Sequence, residues 1–220
     1  MSKKDGFGHE KPYEGDTNDW ITPRWIIKAF DEYSIRYFDK PNFFDLDPCA
    51  SITQPWSCAR DAYTVEQNGL LQNWYGNVWC NPPYGPNTEK WVRRLAEHGS
   101  GVALIFARIE TALWQDWIFP TASGFLFPRR RIQFSRPNGE TPKSSSGAPS
   151  AIIAWGNDNR EALIELYDTG AIDGAFLEMA FYTRSYRNAG EAQKAHPEFF
   201  KQAALGIGPA ESGEEPAALD

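Results

Sequence analysis

Short apolar runs alternate with helix-patterned segments along the middle of this 220-residue chain, and that alternation limits the fold more than any single motif does. The clearest run, Gly101-Val102-Ala103-Leu104-Ile105-Phe106, reads as a buried strand. Phe43-Phe44-Asp45-Leu46-Asp47 is another, stopped by Pro48, and Asn77-Val78-Trp79-Cys80 a third, stopped by two prolines. Gly124–Phe127 and Ala151–Trp155 read as two more, joined by a long Pro/Gly/Ser-rich loop. One helical pattern opens at Thr22-Pro23, a cap followed by Pro at the first helical position, with Trp25, Ile26, Ala29 and Phe30 as its apolar face. Others run from Glu89 to His98, with Trp91, Val92 and Leu95 on one side, over Thr111–Ile118 and over Arg160–Tyr167. Strands alternating with helices predict an α/β fold, a mainly parallel twisted sheet with helices on both faces. Ligands of such sheets bind outside the C-terminal ends of the strands. Asp47-Pro48-Cys49-Ala50 and Asn81-Pro82-Pro83-Tyr84 each follow a short apolar run, so both are expected to face one crevice.

At 41% hydrophobic residues the chain can bury one full core, and residues 19–204 are expected to form one domain. The polar segment 1–18 and the Gly/Pro/Glu-rich segment 205–220 read as mobile tails. No apolar run reaches the roughly 18 residues of a membrane span. The lysines of Met1-Ser2-Lys3-Lys4-Asp5 precede no apolar stretch, so the expectation is a cytoplasmic protein. Three cysteines without a CxxC pair, Cys49, Cys58 and Cys80, argue against a disulfide framework. With His9, His98 and His196 far apart in sequence, they also argue against a structural zinc site, and the cysteines read as small buried thiols. A net charge of -7 does not suit a protein that coats nucleic acid by charge alone. A local basic face is still available at Arg129-Arg130-Arg131, with Arg136 and Lys143 beyond it.

Asn81-Pro82-Pro83-Tyr84 carries the chemistry. An exocyclic amine on a nucleobase is a poor nucleophile because its lone pair is delocalised into the ring. An Asn oxygen and a backbone carbonyl held rigid by prolines can accept both amine hydrogens and draw the lone pair back onto nitrogen. An aromatic ring beside them can stack on the base. Asp45 and Asp47 alternate with Leu46 and share one face of their strand, and Asp47, at the strand end, is the one expected to act.

The ordered set Trp20-Ile21-Thr22-Pro23, Phe44-Asp45-Leu46-Asp47-Pro48-Cys49-Ala50-Ser51, Asn68-Gly69-Leu70 with Trp74, and Val78-Trp79-Cys80-Asn81-Pro82-Pro83-Tyr84-Gly85 with Trp91 resembles the phage-encoded DNA adenine methyltransferases of the Dam type. Arg129-Arg130-Arg131-Ile132-Gln133-Phe134, the Ser-rich loop after it and Pro149-Ser150-Ala151-Ile152-Ile153 extend the resemblance, which spans roughly residues 19–156. It implies a Rossmann-like methyltransferase fold and transfer of a methyl group from S-adenosylmethionine to N6 of adenine in DNA, with no metal. Thr22 and Pro23 would lie near the methionine end of that cofactor, Asp47, Pro48 and Ala50 would form the turn under it, and Asn68 would lie near its adenine ring. Asn81, Pro82, Pro83 and Tyr84 would hold the target base, flipped out of the stack. Segment 127–149 would be an insertion for DNA, with Arg129, Arg130, Arg131 and Arg136 as contacts. Phe134 is either a second stacking ring or a core residue. The wider class places a Gly-rich turn after its first strand, whereas here Asp47-Pro48-Cys49-Ala50-Ser51-Ile52 contains no glycine, as in similar turns of the Dam type. Three other readings stay open: a cytosine-amine methyltransferase, a protein-glutamine methyltransferase using the same tetrapeptide, and a catalytically silent nucleic-acid-binding protein of the same fold.

Overall fold

Seven strands form one sheet in the order β2-β1-β3-β4-β6-β5-β7. They are β1 (Leu46–Asp47), β2 (Asp61–Ala62), β3 (Val78–Cys80), β4 (Gly101–Phe106), β5 (Gly124–Pro128), β6 (Ser150–Trp155) and β7 (Gly174–Glu178). The structure, a computed structural model, describes residues 20–136, 138–141 and 147–178, all within the unit Met1–Tyr182. The expected tails at 1–18 and 205–220, and Lys143, lie outside the described residues.

Strands β2, β1, β3 and β4 pair parallel to one another. Beyond β4 the pairing turns antiparallel: β6 runs against both β4 and β5, and β7 runs against β5. The first five strands therefore point the same way, and only β6 and β7 oppose them. The mainly parallel sheet expected from the alternation is present, and its C-terminal edge gathers the ends of β1, β3, β4 and β5.

Both faces are covered because successive side chains of a strand point to opposite sides. Trp79, Val102, Leu104, Ile152 and Ala154 pack on one face with α1 (Arg24–Phe38) and α4 (Asn157–Asp168). Val78, Cys80, Ala103, Ile105, Ile153 and Trp155 pack on the other with α2 (Thr88–His98) and the π-helical segment Leu113–Ile118, which runs into the short turn α3 (Phe119–Thr121). Each large apolar side chain buried this way is worth roughly 1.5–3 kcal/mol. Gly99, at φ +78, ends α2 in the left-handed conformation that an L side chain resists.

The start of α1 differs from the sequence expectation. Pro23 is the residue before the helix, not its first residue, and Thr22 makes no capping bond. Its hydroxyl accepts instead from the indole Nε1 of Trp79 at 3.1 Å, while its carbonyl accepts from Trp56 Nε1 at 3.0 Å. Two tryptophans thus hold Thr22, because a buried indole N–H left unpaired would cost about 1–3 kcal/mol. Trp25, expected on the apolar face, is 46% exposed. The buried stripe of α1 is Ile26, Ile27, Ala29, Phe30 and Tyr33, and residue 25 falls outside it. Among the described residues, no helix is long and apolar enough to cross a membrane.

Candidate active site

Pro48 follows β1 and Asn81 follows β3, and these strands are adjacent and parallel, so both turns emerge side by side at the C-terminal edge. They line a cavity of about 680 Å³ together with Trp20 and Thr22 from the segment before α1 and Asn68 and Gly69 from the far wall.

Three anchors shape the β1 turn. The Asp47 carbonyl accepts from Tyr63 N–H at 2.8 Å, the Ala50 N–H donates to the Tyr63 carbonyl at 2.9 Å, and Asp47 Oδ1 accepts from Cys49 N–H at 3.1 Å. Asp47 lines the cavity but is 3% exposed. Burial pushes its carboxyl up to about 7, against the opposing pull of its bonds to Cys49 and Gln54. It is therefore poised between neutral and charged near neutral pH, and a cation entering the cavity would favour the charged form.

Close approach comes from a glycine outside the turn. A Cβ on Gly69 would stand 1.9 Å from the Pro48 carbonyl oxygen, so only glycine lets the short 3-10 helix Gly69–Leu71 press against the β1 turn. Asn68, before it, holds the left-handed conformation at φ +51. The glycine missing from residues 47–52 is thus supplied across the cavity.

Asn81 is set by a long-range bond. Its Nδ2 donates to the main-chain carbonyl of Trp20 at 2.6 Å. Only the amide nitrogen can face a carbonyl, so this contact fixes which end of the side chain is which. The other end, Oδ1, is buried and has no hydrogen-bond partner among the described residues. A buried amide oxygen without a donor is costly, so in a cavity wall it reads as an acceptor kept for a ligand. The Pro83 carbonyl is already engaged, accepting from Thr88 Oγ1 at 2.8 Å.

Tyr84 lies on Phe106, with ring centroids 4.1 Å apart and planes at 26°, and its hydroxyl donates to the Leu104 carbonyl at 3.3 Å. Burial pushes this phenol well above its ordinary range. The edge of Phe134 meets Tyr84 at 5.9 Å and Trp20 at 6.0 Å. Cys49 lines the cavity with its sulfur 3.9 Å from that of Cys80. Burial and the neighbouring thiol push Cys49 up, so it stays a neutral thiol.

The family model described as DNA N-6-adenine-methyltransferase (Dam) matches residues 10–167, well over half of the chain. The chain belongs to this family. No curated protein and no solved structure matched it. The Dam family gives the chain its activity class, methylation of adenine N6 in DNA.

Of the residues singled out from sequence, Thr22, Asp47, Pro48, Ala50, Asn68, Asn81, Pro82, Pro83 and Tyr84 all line this same cavity of the Dam-family chain. Pro23 is buried behind it and does not line it. Phe134 is 1% exposed, so of its two readings the structure favours the core residue, one that braces Tyr84 and Trp20. Arg129, Arg130, Arg131 and Arg136 are exposed and outside the lining. Arg129 lies at the end of β5 and pairs with Asp173 at 2.9 Å. Sequence reasoning did not assign a role to Gly69 or to the Trp20 carbonyl. The only sequence signal for either was membership in the ordered motif set. Among the described residues, no group of three or more His, Cys, Asp or Glu is placed to hold a metal ion.

Proposed function

We propose that the chain methylates N6 of adenine at a specific DNA site, taking the methyl group from S-adenosylmethionine, with the target base flipped into the cavity between Asp47 and Asn81. The observation that carries this reading is the buried, unpartnered Oδ1 of Asn81, whose orientation is fixed from behind by the Trp20 carbonyl.

The cavity chemistry fits the donor molecule. About 680 Å³ lies within the size range of nucleotide-like ligands. Its wall offers the apolar Pro48 and Ala50, the polar Thr22 and Asn68, and one carboxyl, Asp47, suited to a cationic ligand. When bound there, S-adenosylmethionine would supply an electrophilic methyl group carried on a positively charged sulfur.

The chain's own residues then do three things. Asn81 Oδ1 and the Pro82 carbonyl accept the two hydrogens of the target amine and localise its lone pair on nitrogen. As positive charge develops on that nitrogen, the same two dipoles, already oriented, stabilise it without reorganising. Tyr84, rigid between Phe106 and Phe134, and the stiff Pro83 beside it hold the plane of the base, so most of the rate comes from position. Arg129, Arg130, Arg131 and Arg136, on the 127–149 insertion of a domain spanning 19–204, contact DNA outside the cavity. The chain works in the cytoplasm, that of a bacterial host if it is phage-encoded.

Incubation of the protein with labelled S-adenosylmethionine and unmethylated DNA, followed by nucleoside analysis, tests the reading. N6-methyladenine that disappears in Asn81→Ala is the expected result. N4-methylcytosine, label on a protein glutamine, or DNA binding without transfer would each overturn it.

A further inference from the structure

Arg108 stands two residues beyond β4, the strand next to β3 in the sheet and parallel to it. Laterally it is one strand away from Asn81; Cys80 is level with Ala103, so Arg108 stands four residues beyond the level of Asn81 and approaches the tetrapeptide through its side chain. Arg129 stands just past β5, three strands from β3 in the sheet order, a lateral separation of about 14 Å against about 4.8 Å for β4. The basic run that the sequence advertises is thus the more distant cation.

A continuous stack ties Arg108 to the reaction centre. Tyr84 lies on Phe106 at 4.1 Å, and the Arg108 guanidinium carbon lies 5.8 Å from the centre of the Phe106 ring. The backbone beneath it is fixed: Ala107 N–H donates to the Pro149 carbonyl and Arg108 N–H to the Phe106 carbonyl, both at 2.9 Å. The Arg108 carbonyl in turn accepts from Thr111 Oγ1 at 2.8 Å. Yet the side chain is exposed and has no carboxylate partner among the described residues, whereas Arg36, Arg60, Arg93, Arg129 and Arg160 each have one. A guanidinium on a rigid mount, beside the catalytic tetrapeptide and without an anion of its own, is built to take one from outside.

We propose that Arg108 binds a phosphate of the target strand next to the flipped adenine and so seats that nucleotide over Asn81. The proposal rests on the DNA-methylating reading above and deepens it by naming the contact that positions the reacting nucleotide. The guanidinium lies one ring beyond Tyr84, the ring proposed to hold the target base, so the phosphate within its reach belongs to the target nucleotide or its immediate neighbour. The Arg129 run, about 14 Å off, reaches phosphates several nucleotides along.

The test compares wild type, Arg108→Ala and Arg108→Lys as full chains. Steady-state methyl transfer to unmethylated genomic DNA gives KM and kcat, anisotropy with a labelled duplex gives binding against salt, and calorimetry gives S-adenosylmethionine affinity. For Arg108→Ala the expected result is a KM for DNA raised roughly three- to tenfold and a slope of log affinity against log salt flatter by about one. Cofactor affinity and melting temperature stay as in wild type, and Arg108→Lys keeps most of the slope. An unchanged KM and slope in a folded, active Arg108→Ala protein overturns the phosphate contact and leaves the methyltransferase reading standing. A change in preferred sequence at constant slope also overturns it, because Arg108 would then read a base edge. A wild-type protein that binds no DNA overturns both.

Discussion

Asn81 Nδ2 donates to the Trp20 carbonyl at 2.6 Å, a contact spanning 61 positions of sequence, and leaves Asn81 Oδ1 buried and unpartnered. The Trp20 segment is itself held in place: Ile21 forms a bridge with Ser135, and the Thr22 carbonyl and hydroxyl take the two indole N–H groups of Trp56 and Trp79. The orientation of the amide proposed to act in catalysis is thus imposed by a segment remote from it in sequence.

Asn81→Ala is expected to lower methyl transfer by about 10²- to 10³-fold, the usual size for losing one preorganised hydrogen-bonding group at a reaction centre. Cofactor affinity should stay within a few-fold of wild type, because the proposed partner of Asn81 is the target amine. Single-turnover transfer and calorimetry on the same preparation check both halves. Substantial turnover in a folded variant would remove Asn81 from the reaction.

Asp47 makes stability and binding respond in opposite directions. Its carboxyl is raised from 3.8 to about 7 by burial. Between those values the unfolded chain has released the proton and the folded chain has kept it. The stability contributed by this group is therefore present below about 4, falls as pH rises toward 7 and is fully lost above that. Asp47→Asn cannot ionise, so it should gain on wild type with rising pH, on the order of a few kcal/mol by pH 8. Thermal melts at pH 4.5 and 8 measure the gap, and a gap independent of pH would mean that Asp47 is not held neutral. The same substitution should weaken S-adenosylmethionine binding, with the largest loss at high pH, where wild type offers a carboxylate to a cationic ligand.

Gly69→Ala should damage the cavity without touching any proposed ligand contact. The added Cβ would fall 1.9 Å from a main-chain oxygen of the β1 turn, which cannot rotate away as a side chain would. Overpacking of this kind costs about 1–3 kcal/mol, and here the strain would fall on Pro48 and Ala50. A lower melting temperature together with weaker cofactor binding is the expected pair of results. A stable variant with wild-type affinity would show that the turn and the Gly69–Leu71 helix have slack between them.

How far the sequence could be read follows from how each element is stabilised. β4 and β6 are buried along almost their whole length, so their runs of aliphatic residues are visible without the fold. β2 is two exposed residues, Asp61 and Ala62, and is a strand only because β1 pairs with it, so nothing in its composition marks it. β7 is an edge strand, partly exposed throughout, and was equally silent. The helix expected over Thr111–Ile118 is present, but its wider π-helical turns do not alter an apolar pattern that Trp114 and Ile118 satisfy either way. In the site, Asp47 and Asn81 were legible because prolines mark the ends of their strands. The Trp20 clamp and the Gly69 contact join segments distant in sequence, and only the packed chain brings those together.

Arg129 bears on how an acidic chain, at a net charge of -7, holds a polyanion. Its Nε lies 3.0 and 2.9 Å from the two carboxylate oxygens of Asp173, with side chains 68% and 65% exposed. A pair that open to water is worth about 0–1 kcal/mol, so a phosphate can replace Asp173 at little cost. Replacing Arg129 and Arg130 together by Ala should therefore weaken DNA binding and flatten its salt slope by up to about 2, roughly one per phosphate lost. Asp173→Asn should act the other way, releasing Arg129 and removing a negative charge from the approach. It should tighten DNA binding by about two- to fivefold at low salt, and less as salt screens the gain. Anisotropy titrations of both variants across salt measure these effects. If the double variant weakened binding while Asp173→Asn left it unchanged, the ion pair would not compete with DNA and Arg130 would be the contact. If neither variant altered affinity or slope, this run would be an ordinary solvated face, and the phosphate contacts would have to lie nearer β4.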